Sequence, residues 1–205
     1  MRQECSICKR KRMYFCYDCR RYMPGVQELV PTIELPVKID IIKHAKEKSS
    51  KSTSIHCLLL SPLSTRLFNH NDKDFDYNNC TDTVLVYPSQ KALTLQEYIN
   101  KYGAISRFVF LDSTWHQVKM LRNLPQLKRL QVVRLSSYET LFWRPQKGYG
   151  MEYLATIEAI YYAIREQQKI LNSNYNRSID NLLFWFLFFR SKIPKNYFNF
   201  NYSKK

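Results

Sequence analysis

The chain has 205 residues, 45% of them hydrophobic, enough apolar surface for one real core with at most a small appendage, which excludes a disordered tail or linker. Its 32 Lys and Arg against 17 Asp and Glu leave a net charge of +15. A balance this basic points to a polyanionic partner, nucleic acid before membrane surface, with a merely solvated basic surface as the alternative.

The first residues, 1–12, are polar and basic and lack the apolar stretch of a secretory signal. The longest apolar run, 182–189, is eight residues, far short of a membrane span. An intracellular protein of nucleus or cytoplasm, with no membrane association, is expected.

In chain order, the first feature is a pair of Cys-x-x-Cys turns, Cys5 and Cys8 then Cys16 and Cys19, separated by seven residues. Each turn brings two thiolates to one side of a bend, and two turns close a tetrahedral four-cysteine cage for structural zinc. Disulfides are disfavoured by an intracellular setting, and four unrelated thiols by the paired spacing. Such a site has no open position, so its metal holds a fold and activates no water. Between the turns Met13, Tyr14 and Phe15 suggest a short strand. Lys9, Arg10, Lys11, Arg12, Arg20 and Arg21 give this module a concentrated positive surface suited to phosphate contacts. A boundary near residues 31–36 divides a zinc module, 1–35, from an α/β domain, 36–205.

The alternating pattern at 37–41 predicts a strand, followed by a polar, Lys-rich connection over 43–54 in which small hydroxyls accompany the lysines. That connection is either a solvated loop or a phosphate or cofactor loop. Cys57 and Cys80 lack paired spacing and are expected in the core, and 69–79 is a second polar connection. Strands follow at 83–87, stopped by Pro88, and at 107–111, with a helix over 95–102 between them. Strand 107–111 runs directly into Asp112-Ser113-Thr114-Trp115 and a helix over 115–123. An acidic residue there sits where ligands collect in open α/β sheets, or simply caps the helix; spacing does not choose between these. A further strand covers 131–135. A helix over 152–171 carries one apolar stripe, and a helix over 178–193, starting at Ser178, is apolar almost all round and is expected to be buried, with a subunit interface as one option.

The chain has four glycines and none forms a Gly-rich turn directly after a strand. A dinucleotide fingerprint or P-loop is therefore excluded, and a nucleoside cofactor would need another architecture.

Six segments together carry a resemblance: Ile39-Asp40-Ile41-Ile42-Lys43-His44; Lys51-Ser52-Thr53; Phe110-Leu111-Asp112-Ser113-Thr114-Trp115; Phe142-Trp143-Arg144 with Gln146-Lys147-Gly148; Thr156-Ile157-Glu158-Ala159-Ile160-Tyr161-Tyr162; and Asp180-Asn181-Leu182-Leu183-Phe184. In this order they resemble the DTW-domain family of tRNA-uridine aminocarboxypropyltransferases, animal type, despite Ala45 where the family often has proline and Cys57 where alanine is usual. The resemblance implies a SPOUT-like parallel α/β sheet with a C-terminal trefoil knot. It also implies S-adenosylmethionine as co-substrate, and transfer of the 3-amino-3-carboxypropyl group to N3 of a D-loop uridine of tRNA, at position 20.

By that resemblance Asp112, with Thr114 and Trp115, carries the chemistry: Asp112 takes the N3 proton or orients the imide, better if burial raises its pKa. Trp115 is a stacking platform or a packed core residue. Lys51, Ser52, Thr53, Tyr87, Pro88, Arg144, Gln146, Lys147 and Thr156 are candidates for binding cofactor or tRNA. Glu158 is either another binder or, slightly preferred, a partner in a surface ion pair. A SPOUT-type RNA methyltransferase and a non-catalytic zinc RNA-binding protein are the rival readings.

Overall fold

Short hairpins come first in the computed structural model, which describes residues 1–72, 74–78, 80–144, 148–172 and 177–194. Strands β1 (Gln3–Glu4) and β2 (Lys11–Arg12) pair antiparallel, as do β3 (Phe15–Cys16) and β4 (Arg21–Tyr22). Each hairpin is closed by a Cys-x-x-Cys turn, with Lys9 and Arg20 in the left-handed region at φ 59° and 55°. The strand expected at 13–15 is thus shifted, with only Phe15 paired.

The remaining strands form one six-stranded sheet, all parallel: β5 (Lys38–Lys43), β6 (Thr65–Asn69), β7 (Thr83–Val86), β8 (Leu93–Thr94), β9 (Arg107–Asp112) and β10 (Gln131–Arg134), in the order β6-β5-β9-β7-β10-β8. Both faces of a parallel sheet must be covered, and the alternation along the strands sorts the side chains accordingly. Ile39, Ile41, Val84, Phe108 and Phe110 pack beneath helices α1 (Ser54–Leu60), α2 (Leu95–Tyr102) and α4 (Thr156–Ile170). Ile42, Leu85 and Val109 face Phe75, Tyr77, Leu127 and Leu130 on the other side, and α3 (Trp115–Arg122) follows β9 directly.

Helix α2 begins in a reciprocal cap, Glu97 N–H to Thr94 Oγ1 at 3.2 Å and Thr94 N–H to Glu97 Oε2 at 2.7 Å, and Gly103 leaves it at φ +90°. Buried Gln167 on α4 pairs with both backbone groups of Ile105, at 2.9 and 2.8 Å, fastening the entry to β9. Asp40, fully buried in β5, accepts from Arg66 at 2.9 and 2.7 Å, Arg107 at 2.8 Å and Tyr77 at 2.9 Å.

The single helix expected over 178–193 is instead a 3₁₀ turn, Ser178–Leu183, and then α5 (Phe184–Ser191), with Ser178 opening the turn and Arg177 preceding it at φ 61°. Its Trp185 and Phe186 are buried. The apolar face is covered within the chain: Tyr14 and Phe15 lie 5.5 and 5.1 Å from Trp185, ring to ring, and Tyr14 lies 5.1 Å from Phe188. Cys57 is buried as expected, but Cys80 is exposed. Among the described residues no helix is long and apolar enough to cross a membrane.

Candidate active site

The carboxyl ends of β7, β9 and β10 open into a cavity of about 1120 Å³ that also takes in the starts of α3 and α4, the place where parallel sheets bind ligands. Its size exceeds the usual range for one small molecule and leaves room for two reactants.

Asp112 ends β9 on the cavity floor and is only 3% exposed. Its Oδ2 accepts from Ser52 Oγ at 2.7 Å and Ser54 Oγ at 3.0 Å, and its Oδ1 from Thr156 Oγ1 at 2.8 Å. These hydroxyls stand at the first residues of α1 and α4 and in the connection before α1, so the carboxylate ties three segments together. Thr53 Oγ1 adds a fourth tie by accepting the N–H of Ile157 at 3.2 Å. Of the two readings of Asp112, capping of α3 finds no hydrogen bond in support among the described residues: the cap residue is Thr114, without a side-chain cap bond.

Trp115 is not packed in the core. It lines the cavity half-buried, edge-on to Tyr153 at 4.8 Å and tilted to Tyr149 at 6.2 Å. Arg144 also lines the cavity, donates to the Lys51 carbonyl at 2.7 Å, and lies 5.9 Å from the Trp143 ring. Burial lowers the Arg144 pKa, against the pull of Tyr17 and Glu47. Lys51, Ser52, Thr53, Tyr87, Pro88, Ser113, Thr114 and Thr156 all line the same space. Gln146 and Lys147 lie outside the described residues.

Glu158 departs from the surface pair expected of it. It is 2% exposed, and its oxygens accept from Thr140 Oγ1 at 2.5 Å and from the N–H groups of Leu141 and Ala155 at 2.7 and 2.8 Å. Burial raises its pKa and these donors oppose the rise. It caps α4 and pins the loop that precedes it, behind the cavity wall rather than in it.

The sequence reading missed Ser54, whose only signal was the run of small hydroxyls, and Glu47, hidden among lysines; both were assigned to a connection. Glu47 is half-buried on the cavity wall. Burial first, and Asp112 second, raise its pKa, against Lys43, Lys51 and Arg144. Arg134 and Tyr149, also on the wall, were not singled out either.

At the other end of the chain, the sulfurs of Cys5, Cys8, Cys16 and Cys19 all lie within 4.8 Å of one another, an arrangement that could hold a metal ion. Zn–S bonds of about 2.3 Å in a tetrahedron need sulfurs about 3.8 Å apart. The N–H groups of Cys8 and Ile7 draw the Cys5 thiol down to about 6, while burial and the adjoining thiols push Cys19 up to about 12. Sulfurs this close are held as thiolates together only by a cation. Two of the six basic side chains noted in this module, Arg10 and Arg12, both bond Asp18 at 2.8 Å, so part of the positive surface is neutralised internally.

Comparison with known proteins places this geometry. Residues 13–194 match the DTW domain. The chain is 31% identical over 228 residues to tRNA-uridine aminocarboxypropyltransferase 1 of Xenopus laevis, covering 91% of this chain and 78% of that protein. It is 30% identical over 235 residues to the Homo sapiens protein of the same name, covering 91% and 75%. Among solved structures, the SAM-dependent rRNA:acp-transferase Tsr3 from Vulcanisaeta distributa aligns over 77% of this chain and 83% of its own at 15% identity and a TM-score of 0.42. With the family's profile spanning most of its length, and relatives matched over nine-tenths of it, this chain belongs to the DTW-domain family.

Proposed function

We propose that this protein transfers the 3-amino-3-carboxypropyl group of S-adenosylmethionine to N3 of a tRNA uridine, releasing methylthioadenosine, and that the uridine is the D-loop residue at position 20. The observation that carries the reading is the Asp112 carboxylate, fixed by hydroxyls on the floor of a cavity large enough for nucleoside and co-substrate together. The relatives' shared name supports the same reaction.

Bound S-adenosylmethionine supplies a sulfonium that makes the neighbouring propyl carbon electrophilic. The protein supplies position. With three of its roughly four acceptor sites taken, Asp112 keeps one to accept from a donor of a bound reactant and so help orient N3 for attack. Trp115, on the wall beside it, offers a face for the base, which a loop uridine can present without breaking a pair. Arg144 and Lys51 supply positive charge for a carboxylate or phosphate. Ser52, Thr53 and Thr156 hold the floor by their hydrogen bonds, and Thr114, Tyr87 and Pro88 line the cavity. Gln146 and Lys147 extend this binding set by family resemblance.

The four cysteines hold structural zinc in a module over 1–35, which grips the tRNA backbone beside the catalytic domain, 36–205. The same resemblance brings the SPOUT-like relationship and the C-terminal trefoil knot. We place the protein's action in nucleus or cytoplasm. Incubation with unmodified tRNA and S-adenosylmethionine tests the reaction through its by-product: methylthioadenosine is expected. S-adenosylhomocysteine would make this a methyltransferase, and consumption of neither reactant would leave a non-catalytic RNA-binding protein.

A further inference from the structure

Asp112 is already engaged in holding the floor, with three hydroxyls donating to it. Ser52 Oγ and Ser54 Oγ lie 2.6 Å from each other as well as against Oδ2. Two hydroxyl protons therefore serve three close contacts, and a proton added at Oδ2 would displace a donor that ties α1 or the connection before it to the floor. At Oδ2 the network is closed by two donors, and Oδ1 keeps one free site beside Thr156.

Glu47 is the opposite case. Its backbone is pinned, the N–H donating to the His44 carbonyl at 3.0 Å and the carbonyl accepting from Lys43 Nζ at 2.6 Å. Its side chain reaches the cavity wall, and among the described residues its carboxylate has no hydrogen bond or ion pair. The charged groups around it are Asp112 at the end of β9, Lys43 at the end of β5, Lys51 in the connection and Arg144 in the loop before α4. A half-buried carboxylate left unpaired near a second carboxylate costs the fold stability. In a cavity, that is the signature of a group kept for a ligand.

We infer that Glu47 is the base that removes the N3 proton of the uridine while Asp112 holds together the floor on which the reactants sit. This rests on the transfer reaction proposed above. The proton passes to a Glu47 oxygen and the N–H electron pair forms the new bond from N3 to the propyl carbon. The carbon–sulfur pair stays with sulfur, and uncharged methylthioadenosine leaves. Protonated Glu47 returns its proton to solvent through the cavity mouth. The upward shift that burial and Asp112 impose on Glu47 is in the direction that suits a base working on a weakly acidic imide.

Single-turnover transfer to unmodified tRNA, at saturating S-adenosylmethionine and across pH, tests this on the full chain. The wild-type rate should rise with pH as Glu47 ionises and then level. Glu47→Gln should bind S-adenosylmethionine as the wild type does and lose about 10²- to 10⁴-fold in rate. Its rising limb should be replaced by a steady climb into alkaline pH, as hydroxide takes the proton. Glu47→Asp, which keeps a carboxylate and guards against a folding defect, should retain a rising limb moved in pH. Near-normal turnover of Glu47→Gln would overturn the inference. So would a loss that traces to weaker S-adenosylmethionine binding and recovers at saturation, since Glu47 would then hold the ammonium group, and so would an unmoved limb in Glu47→Asp. If the wild-type protein itself transfers nothing, or makes S-adenosylhomocysteine, the proposed reaction fails instead.

Discussion

Asp112 shows how one side chain can tie three segments of a cavity floor together by what it accepts. Replacing it with Asn puts an NH₂ group among hydroxyls that already donate, so the floor must rearrange. Asp112→Asn is expected to keep S-adenosylmethionine affinity and lose at least about 10²-fold in turnover, the scale of a misplaced reactant; turnover close to wild type would remove Asp112 from the site. Asp40 makes a structural counterpart. It is fully buried with two arginines and a tyrosine on it, and truncating one member of such a network leaves uncompensated charge. Asp40→Ala should cost about 3–5 kcal/mol in denaturant unfolding, and a loss below about 1 kcal/mol, the scale of an exposed pair, would contradict this account. His56 is buried, its Nδ1 without a partner among the described residues, and burial with Arg144 nearby lowers its pKa to about 3. The unfolded chain, with an ordinary histidine near 6.5, binds the proton first. Stability is therefore present above that value and lost as pH falls through the window down to about 3, on the order of 4 kcal/mol at the acid end. Glu47 and Glu158, shifted upward, act in the opposite sense, so the informative quantity is the difference between variants. His56→Phe should gain on the wild type progressively below about pH 6.5; parallel stability curves would show that His56 carries none of the acid sensitivity.

At the scale of elements, the strands at the centre were legible because burial on both faces leaves apolar runs too dense for a loop: 83–87, 107–111 and 131–135 all form strands, shifted at their ends by at most a residue, and 37–41 forms β5, which runs on to Lys43. What escaped was short or at an edge. Strand β6 carries Arg66 and Asn69 toward solvent, β8 is two residues long, and α1, seven residues buried almost all round, has no polar face to mark a helical period. Asp112, Thr156 and the hydroxyls at 52–53 were found by motif. Glu47 was not, because a lone acid in a lysine run reads as a solvated loop until the chain's turn at His44 brings it to the cavity wall. The hairpins carrying the cysteines are coupled to α5 by Tyr14, Phe15 and Tyr22, with Trp185 Nε1 donating to the Tyr22 hydroxyl at 3.4 Å. Metal removal should therefore be felt beyond the module. A strong chelator, or Cys16→Ser, should lower the melting temperature and shift tryptophan emission to the red as Trp185 meets water. Protein that carries no metal as purified, yet melts unchanged with chelator, would refute a structural metal.

Over the whole molecule the charge of +15 favours association with a polyanion such as the proposed tRNA substrate. Lys51 and Arg134 stand on the cavity wall, and Arg20 and Arg21 lie on the cysteine module. If six to ten phosphates are contacted, tRNA affinity should fall by roughly 10³- to 10⁵-fold between about 50 and 200 mM salt, and an affinity flat over that range would refute an electrostatic grip. The most direct test follows isotope from S-adenosylmethionine into tRNA, with one label in the aminocarboxypropyl carbons and another in the methyl group. The account predicts that the first label enters a uridine, that the second leaves in methylthioadenosine, and that Asp112→Asn stops both. Methyl label in the tRNA, or transfer undiminished in Asp112→Asn, would contradict it.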